Sequence, residues 1–210
     1  MKLLIVDINL KILTDYKYVN RGVTMDKVFE EQLEKAGKFH GEICGGIVIG
    51  TKLAVNALEK MGMELNKKNK DLIVFVEIDR CMSDAVQAVT GCSMGKRSLK
   101  QMGYGKFAAT FYNISTGEAF RITDVDANSK EELTETTEEM IERFKNTPCE
   151  ELFNFQRVEI KLDENELPGK PRETAFCSIC YEKVMDGKHK LIGGKSVCKS
   201  CSEESYYKII

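Results

Sequence analysis

The sequence predicts a core of helices packed on a sheet, joined by a short linker to a small module folded around a metal. Three observations carry this reading. The stretch Gly45 to Met61 is apolar nearly all round, five apolar residues from Leu72 to Val76 read as a central strand, and four late cysteines form two C-x-x-C knuckles.

The 210 residues have a formal net charge of -2, with 42% hydrophobic and 30% charged residues, which leaves room for a real core plus a small module. Near-neutral charge gives no general basic footprint for nucleic acid. The apolar run Leu3 to Val6 ends at Asp7, too short for a signal-peptide core or a membrane span. We therefore expect a cytoplasmic protein without membrane contact. In that compartment the eight cysteines are expected to be metal ligands or reactive thiols in preference to disulfides.

Taken in order, residues 2–20 contain β-type runs and read as a hairpin or an arm. From Asp26 to Phe39, the apolar positions Phe29, Leu33, Ala36 and Phe39 fall on one helical face, and the helix end delivers His40. After Gly45-Gly46 a second helix carries only Lys52, Asn56, Glu59 and Lys60 as a polar stripe, so it must be buried on most sides, and Gly62 ends it. Cys44 stands just before the positive end of this helix, where thiolate is favoured over thiol. His40 and Cys44, four residues apart, are a candidate ligand pair. A buried cysteine and a helix-terminal histidine are the plainer alternative.

Asp71 to Asp79 follows as a strand, apolar on both faces and so central to a sheet. Cys81 comes directly at its carboxyl end, then Ser83-Asp84 as a helix start and a short helix Ala85 to Thr90 closed by Gly91. The carboxyl ends of sheet strands are the usual place for a site. The segment Gly91 to Lys106 looks like a phosphate loop but fails the pattern: the spacing to Lys96 is one residue short, and Arg97 stands where Ser or Thr should be. It reads as a set of turns, with Cys92 as a third thiol that could converge on the site.

Lys106 to Asn113 and Glu118 to Asp124 flank Ser115-Thr116-Gly117 as a hairpin. Ser129 to Asn146 is an amphipathic helix with Leu133, Met140, Ile141 and Phe144 inward. Pro148 stops it, Cys149 has no patterned partner, and Phe155 to Leu162 gives one further strand.

Two of the three prolines lie in residues 163–173, which read as linker. Beyond it, Cys177-Ser-Ile-Cys180 and Cys198-Lys-Ser-Cys201 have the separation that four thiolates around one structural zinc require, with turn formers Asp186-Gly187 and Gly193-Gly194 between. A redox dithiol pair is the competing reading. A module of this size buries too little core to stand alone, so the metal would supply its folding energy. The expected organisation is a core over residues 1–162, a linker over 163–175 and a zinc ribbon over 176–210.

The combination of HGEICGG, CMSDAVQAVTGCSMGK, YGKFAATFYN and a terminal four-cysteine finger resembles the formylmethanofuran dehydrogenase E-subunit family, in its version with an appended zinc finger. The resemblance covers most of residues 25–210. It implies an α+β core with a mixed sheet similar to the catalytic domain of glyceraldehyde-3-phosphate dehydrogenase, assembly as a homodimer, and a His and Cys site. The family pattern usually has a second histidine and a Cys-Pro-Gly, where this chain has Glu42, a harder ligand, and Cys44-Gly45-Gly46. Dehydrogenase activity is not implied: the family name reflects an operon association, and the C-x-x-C pairs are spaced for zinc and not as a ferredoxin run.

Two functional classes follow. The first is a metal-binding accessory or regulatory protein, in which His40, Cys44 and Cys81 form a second transition-metal site and the ribbon docks a protein partner. The ribbon's Lys183, Lys188, His189, Lys190, Lys195 and Lys199 also suggest weak nucleic-acid binding. The alternative is a metal- or thiol-dependent enzyme with Cys44 as nucleophile and His40 as base.

Overall fold

The computed structural model describes residues 25–126, 134–203 and 205–210. The chain divides into two compact units, Met1–Ile160 and Lys161–Ile210. The expected N-terminal arm, and the start of the helix expected from Ser129, lie outside the described residues.

In the first unit, helix α1 spans Met25–His40, α2 spans Gly45–Lys60 and α3 spans Cys81–Thr90. Strand β1 is Leu72–Val76, followed by β2 (Leu99–Gln101), β3 (Ala108–Asn113), β4 (Ala119–Asp124) and β5 (Phe153–Arg157). Helix α4 covers Thr137–Asn146, and a single turn, α5, covers Cys149–Leu152. The five strands lie in the order β2-β1-β3-β4-β5. β1 and β2 run parallel and the other pairs antiparallel, so the sheet is mixed and the unit is α+β.

Strand alternation decides which residues face the helices. Leu72, Val74 and Val76 of β1, Ala109 and Phe111 of β3, and Ile122 of β4 join one buried cluster with the inner faces of α1, α2 and α3. Register places Val74 opposite Phe111 and Ala109 opposite Ile122, so bulky and small side chains alternate across that face. Every residue of α2 from Ile47 to Leu58 is buried, including Lys52 and Asn56 of its polar stripe. Lys52 Nζ lies 5.1 Å from the centre of the Phe29 ring, a cation–π contact, and the Asn56 amide donates to the Lys52 carbonyl at 2.6 Å.

Several elements differ from the sequence expectation. β2 lies inside the stretch read as turns. With three residues and only Leu99 buried, it is too short for alternation to register, and its parallel pairing to β1 defines it. The final core strand runs Phe153–Arg157 instead of 155–162: Leu152 and Phe153 bury while Glu159 and Lys161 are exposed. α3 begins at Cys81, two residues before Ser83-Asp84, and the Ser83 hydroxyl donates to the Ile78 carbonyl instead of capping the helix. α4 starts behind Thr136, whose hydroxyl accepts from the Glu139 N–H while the Glu139 carboxylate accepts from the Thr136 N–H.

The second unit holds a 3-10 turn, Glu164–Glu166, and two hairpins: β6 (Thr174–Phe176) with β7 (Lys183–Met185), and β8 (His189–Ile192) with β9 (Lys195–Cys198). A last turn, α6, spans Lys199–Ser202. Its buried cluster is Cys177, Val197 and Cys198, with Val184 and Cys201 against it. Three of those five residues are cysteines, so apolar burial alone leaves this unit thin.

Candidate functional site

The site begins with two glycines. Gly46 and Gly50 lie four apart on one face of α2. A Cβ on Gly50 would stand 2.7 Å from the Met82 carbonyl oxygen and 2.8 Å from the Ala85 Cβ; one on Gly46 would stand 3.0 Å from the Cys81 Cβ. Only hydrogen fits at Gly50 and a side chain at Gly46 would be tight, and the first turn of α3 therefore rests directly on the first turns of α2. This close approach brings two helix N-termini together, and each begins with a cysteine. Cys44 is the N-cap of α2, its thiol making no capping bond, while Cys81 opens α3.

His40 arrives from the end of α1. Gly41 takes φ +109°, open to glycine, and its N–H bonds the Gly37 carbonyl at 2.8 Å, so the chain turns sharply between histidine and cysteine. Ile43 folds back against Gly37, where a Cβ would meet its side chain at 2.5 Å. The result gathers His40, Cys44 and Cys81, all half-buried, with their ligand atoms within 4.8 Å of one another. A hydrogen bond with Cys44, together with burial, pushes the Cys81 thiol up.

Sequence reasoning missed one member of this group. The Asp84 carboxylate lies 2.8 Å from His40 Nδ1, across 44 positions of sequence. The available signal was Cys81-x-x-Asp84, a spacing that puts thiol and carboxylate on one face of α3, but Asp84 also reads as an ordinary helix-start residue.

Other candidates fall away from the site. Cys92 is buried, and its thiol points at the Leu72 carbonyl, 3.7 Å away. Leu72 opens β1 and Cys81 follows its far end, so the length of the strand separates them. Glu42 is exposed and outside the cluster. Cys149 packs on the core beside Lys52 and Asn56, and burial pushes its thiol up to about 11. Lys96 Nζ donates to the Gly91 carbonyl at the end of α3, which ties the loop to a helix terminus in place of an anion.

Two thiols and an imidazole suit a borderline-soft divalent ion, and three protein ligands leave a fourth position for water or another donor. Binding such an ion would displace the thiol protons, because the thiolate is the ligand form.

The second unit holds the other cluster. The sulfurs of Cys177, Cys180, Cys198 and Cys201 lie within 4.8 Å of one another, with Cys180 and Cys198 at 3.8 Å. Backbone N–H groups of Ile179 and Cys198 each donate to Cys177 Sγ at 3.4 Å. Such bonds, that from Cys198 foremost, pull the Cys177 thiol down to about 6, whereas a hydrogen bond with Cys198 pushes Cys201 up to about 12. One thiolate is thus favoured at Cys177, while Cys201 holds a proton that a cation would displace. The donor set fits a closed tetrahedral ion.

Fold and clusters together define an α+β protein with a His/Cys/Cys group at paired helix N-termini and a separate four-cysteine module, each able to hold a metal ion. A family model described as FmdE, Molybdenum formylmethanofuran dehydrogenase operon, matches residues 39–154, more than half of the chain. The chain belongs to that family. Among solved structures it is similar to a tungsten formylmethanofuran dehydrogenase FmdE-like protein from Syntrophus aciditrophicus, at 25% identity and a TM-score of 0.57, covering 86% of this chain and 95% of that one. Among curated proteins it is 34% identical over 93 residues to a probable S-adenosyl-L-methionine-binding protein of Archaeoglobus fulgidus, covering 43% of this chain. The chain spans 25% of that relative's length. Among the described residues, no helix is long and apolar enough to cross a membrane.

Proposed function

We propose that this chain is a metal-binding accessory or regulatory protein. His40, Cys44 and Cys81 hold a transition metal with one open position, and the four late cysteines hold a structural zinc. The observation that carries this is the convergence of three ligand atoms from three separate points of the chain to within 4.8 Å. We assign the core the architecture of the glyceraldehyde-3-phosphate dehydrogenase catalytic domain, as the family resemblance implies, without that enzyme's chemistry. The protein acts as a homodimer in the cytoplasm.

The four-cysteine module docks a protein partner in this reading. Phe176, Ile179 and Tyr181 stand exposed around the first knuckle, and Tyr181 is held at φ +63°, a conformation bulky residues avoid. Several of its basic groups are already matched: Lys188 by Glu166, Lys190 by Glu203 at 2.6 Å, and His189 by Glu173 at 3.5 Å. That neutralisation favours protein over nucleic acid as the partner.

The test is metal per chain in native protein purified without chelators. Two ions per wild-type chain are expected, with one lost in a Cys44→Ser, Cys81→Ser variant and the other in a Cys198→Ser, Cys201→Ser variant. Unchanged metal content in the first variant would remove the core site.

One observation favours a second reading. Asp84, His40 and the adjacent thiols have the order of an orienting carboxylate, a base and a nucleophile, which suits thiol-dependent catalysis by Cys44 without a metal. Rapid alkylation of Cys44 that is slowed in His40→Ala and unaffected by added zinc would select it.

A further inference from the structure

We propose that Asp84 is the positioning carboxylate of the core site, fixing the tautomer and aim of His40 from the same helical turn that supplies Cys81. The inference rests on the reading of His40, Cys44 and Cys81 as metal ligands and adds the group that makes His40 competent as one. Asp84 Oδ2 lies 2.8 Å from His40 Nδ1, and Asp84 Oδ1 accepts from Gln87 Nε2 at 3.2 Å. Both carboxylate oxygens are thereby engaged, and the carboxylate is itself held by the next turn of its helix.

An ionised carboxylate only accepts hydrogen bonds. In the neutral imidazole the proton must therefore sit on Nδ1, and the lone pair of Nε2 is left for a metal. The charge of Asp84 also raises the donor strength of that nitrogen, as outer carboxylates do for metal-bound histidines. Cys81 and Asp84 are three residues apart and share a face of α3. One helix thus supplies a ligand and orients another ligand that comes from the end of α1. Asp84 lies in the first turn of α3, where the helix dipole favours a negative charge.

The test uses the full chain and cobalt(II) as the probe, with His40 read separately by long-range nitrogen–proton NMR of the metal-free protein. The chain has only two histidines, so the signals are assignable. In wild type the neutral His40 should carry its proton on Nδ1; in Asp84→Ala it should become a mixture of tautomers. Core cobalt absorption is defined as that lost in Cys44→Ser, Cys81→Ser. Asp84→Asn should weaken the core affinity about 10- to 100-fold, Asp84→Glu should recover part of it, and the four-cysteine absorption should stay unchanged in both. An Asp84→Asn core affinity equal to wild type, or an unchanged His40 tautomer in Asp84→Ala, overturns the proposal. A wild-type chain without core cobalt would instead sink the metal reading, and the tautomer measurement alone would then decide the role of Asp84.

Discussion

Gly50 of α2 lies against the Met82 carbonyl of α3 so closely that a methyl group there would sit 2.7 Å from the oxygen. The obstructing atom is backbone, and it cannot rotate away as a side-chain tip would. This contact sets the distance between the two helix starts, and with it the distance between Cys44 and Cys81.

Gly50→Ala should therefore lower core stability, although alanine is the better helix former by about 1 kcal/mol. Overpacking of a close helix contact costs about 1–3 kcal/mol and should exceed that gain. Urea unfolding monitored by far-UV circular dichroism measures the difference, and the same variant should show weaker core metal binding. An alanine variant at least as stable as wild type would mean that the helices can separate freely.

Added zinc should protect Cys44 and Cys81 from alkylation under native conditions and leave Cys92 and Cys149 as they were. The first pair is half-buried within the ligand cluster, while Cys92 is buried and Cys149 packs on the core at the start of α5. Because metal binding displaces thiol protons, protection should fade as the pH is lowered toward about 5. Peptide-level mass spectrometry after a timed alkylation pulse reads all four cysteines at once. Equal labelling of Cys44 at pH 7 with and without zinc would argue against the core ion.

Replacing Cys198 and Cys201 by serine should unfold the second unit while leaving the first intact. The small cluster of Cys177, Val197 and Cys198 offers little apolar burial, so the module depends on its ion. Limited proteolysis should then cut within residues 176–210 and spare residues 25–126. A protease-resistant second unit in the variant would show that the hairpins hold without metal.

Asp124 predicts a pH dependence of stability. Burial raises its carboxyl from the ordinary 3.8 to about 6, although it accepts a hydrogen bond from the Asp126 N–H at 3.2 Å. The folded chain therefore keeps a proton that the unfolded chain releases near 3.8, so this contribution falls as pH rises from about 4 through 6. The loss is worth about 3 kcal/mol at most for the change from 3.8 to about 6. Asp124→Asn should match wild type near pH 4 and exceed it at pH 7, as measured by urea midpoints across that range. A stability difference that does not change with pH would refute the assignment.

The sequence by itself determined what is local. The knuckles Cys177/Cys180 and Cys198/Cys201, the pair His40 and Cys44 at a helix junction, and the central strand Leu72–Val76 all rest on spacing, and spacing is preserved in any fold. Cys81 was also within reach, because the carboxyl end of a central strand next to a helix start is a recurrent place for a site. Tertiary structure decided the rest. Cys92 stood as a third thiol that could join Cys81 until β1 separated them, and Asp84 became the partner of His40 only when Gly46 and Gly50 let α3 settle on α2. Burial likewise turned Asp124, an unremarkable strand residue in the sequence, into a titrating group. Contacts between residues far apart in the chain depend on how closely two surfaces can approach, and that is fixed by the packing of both surfaces together.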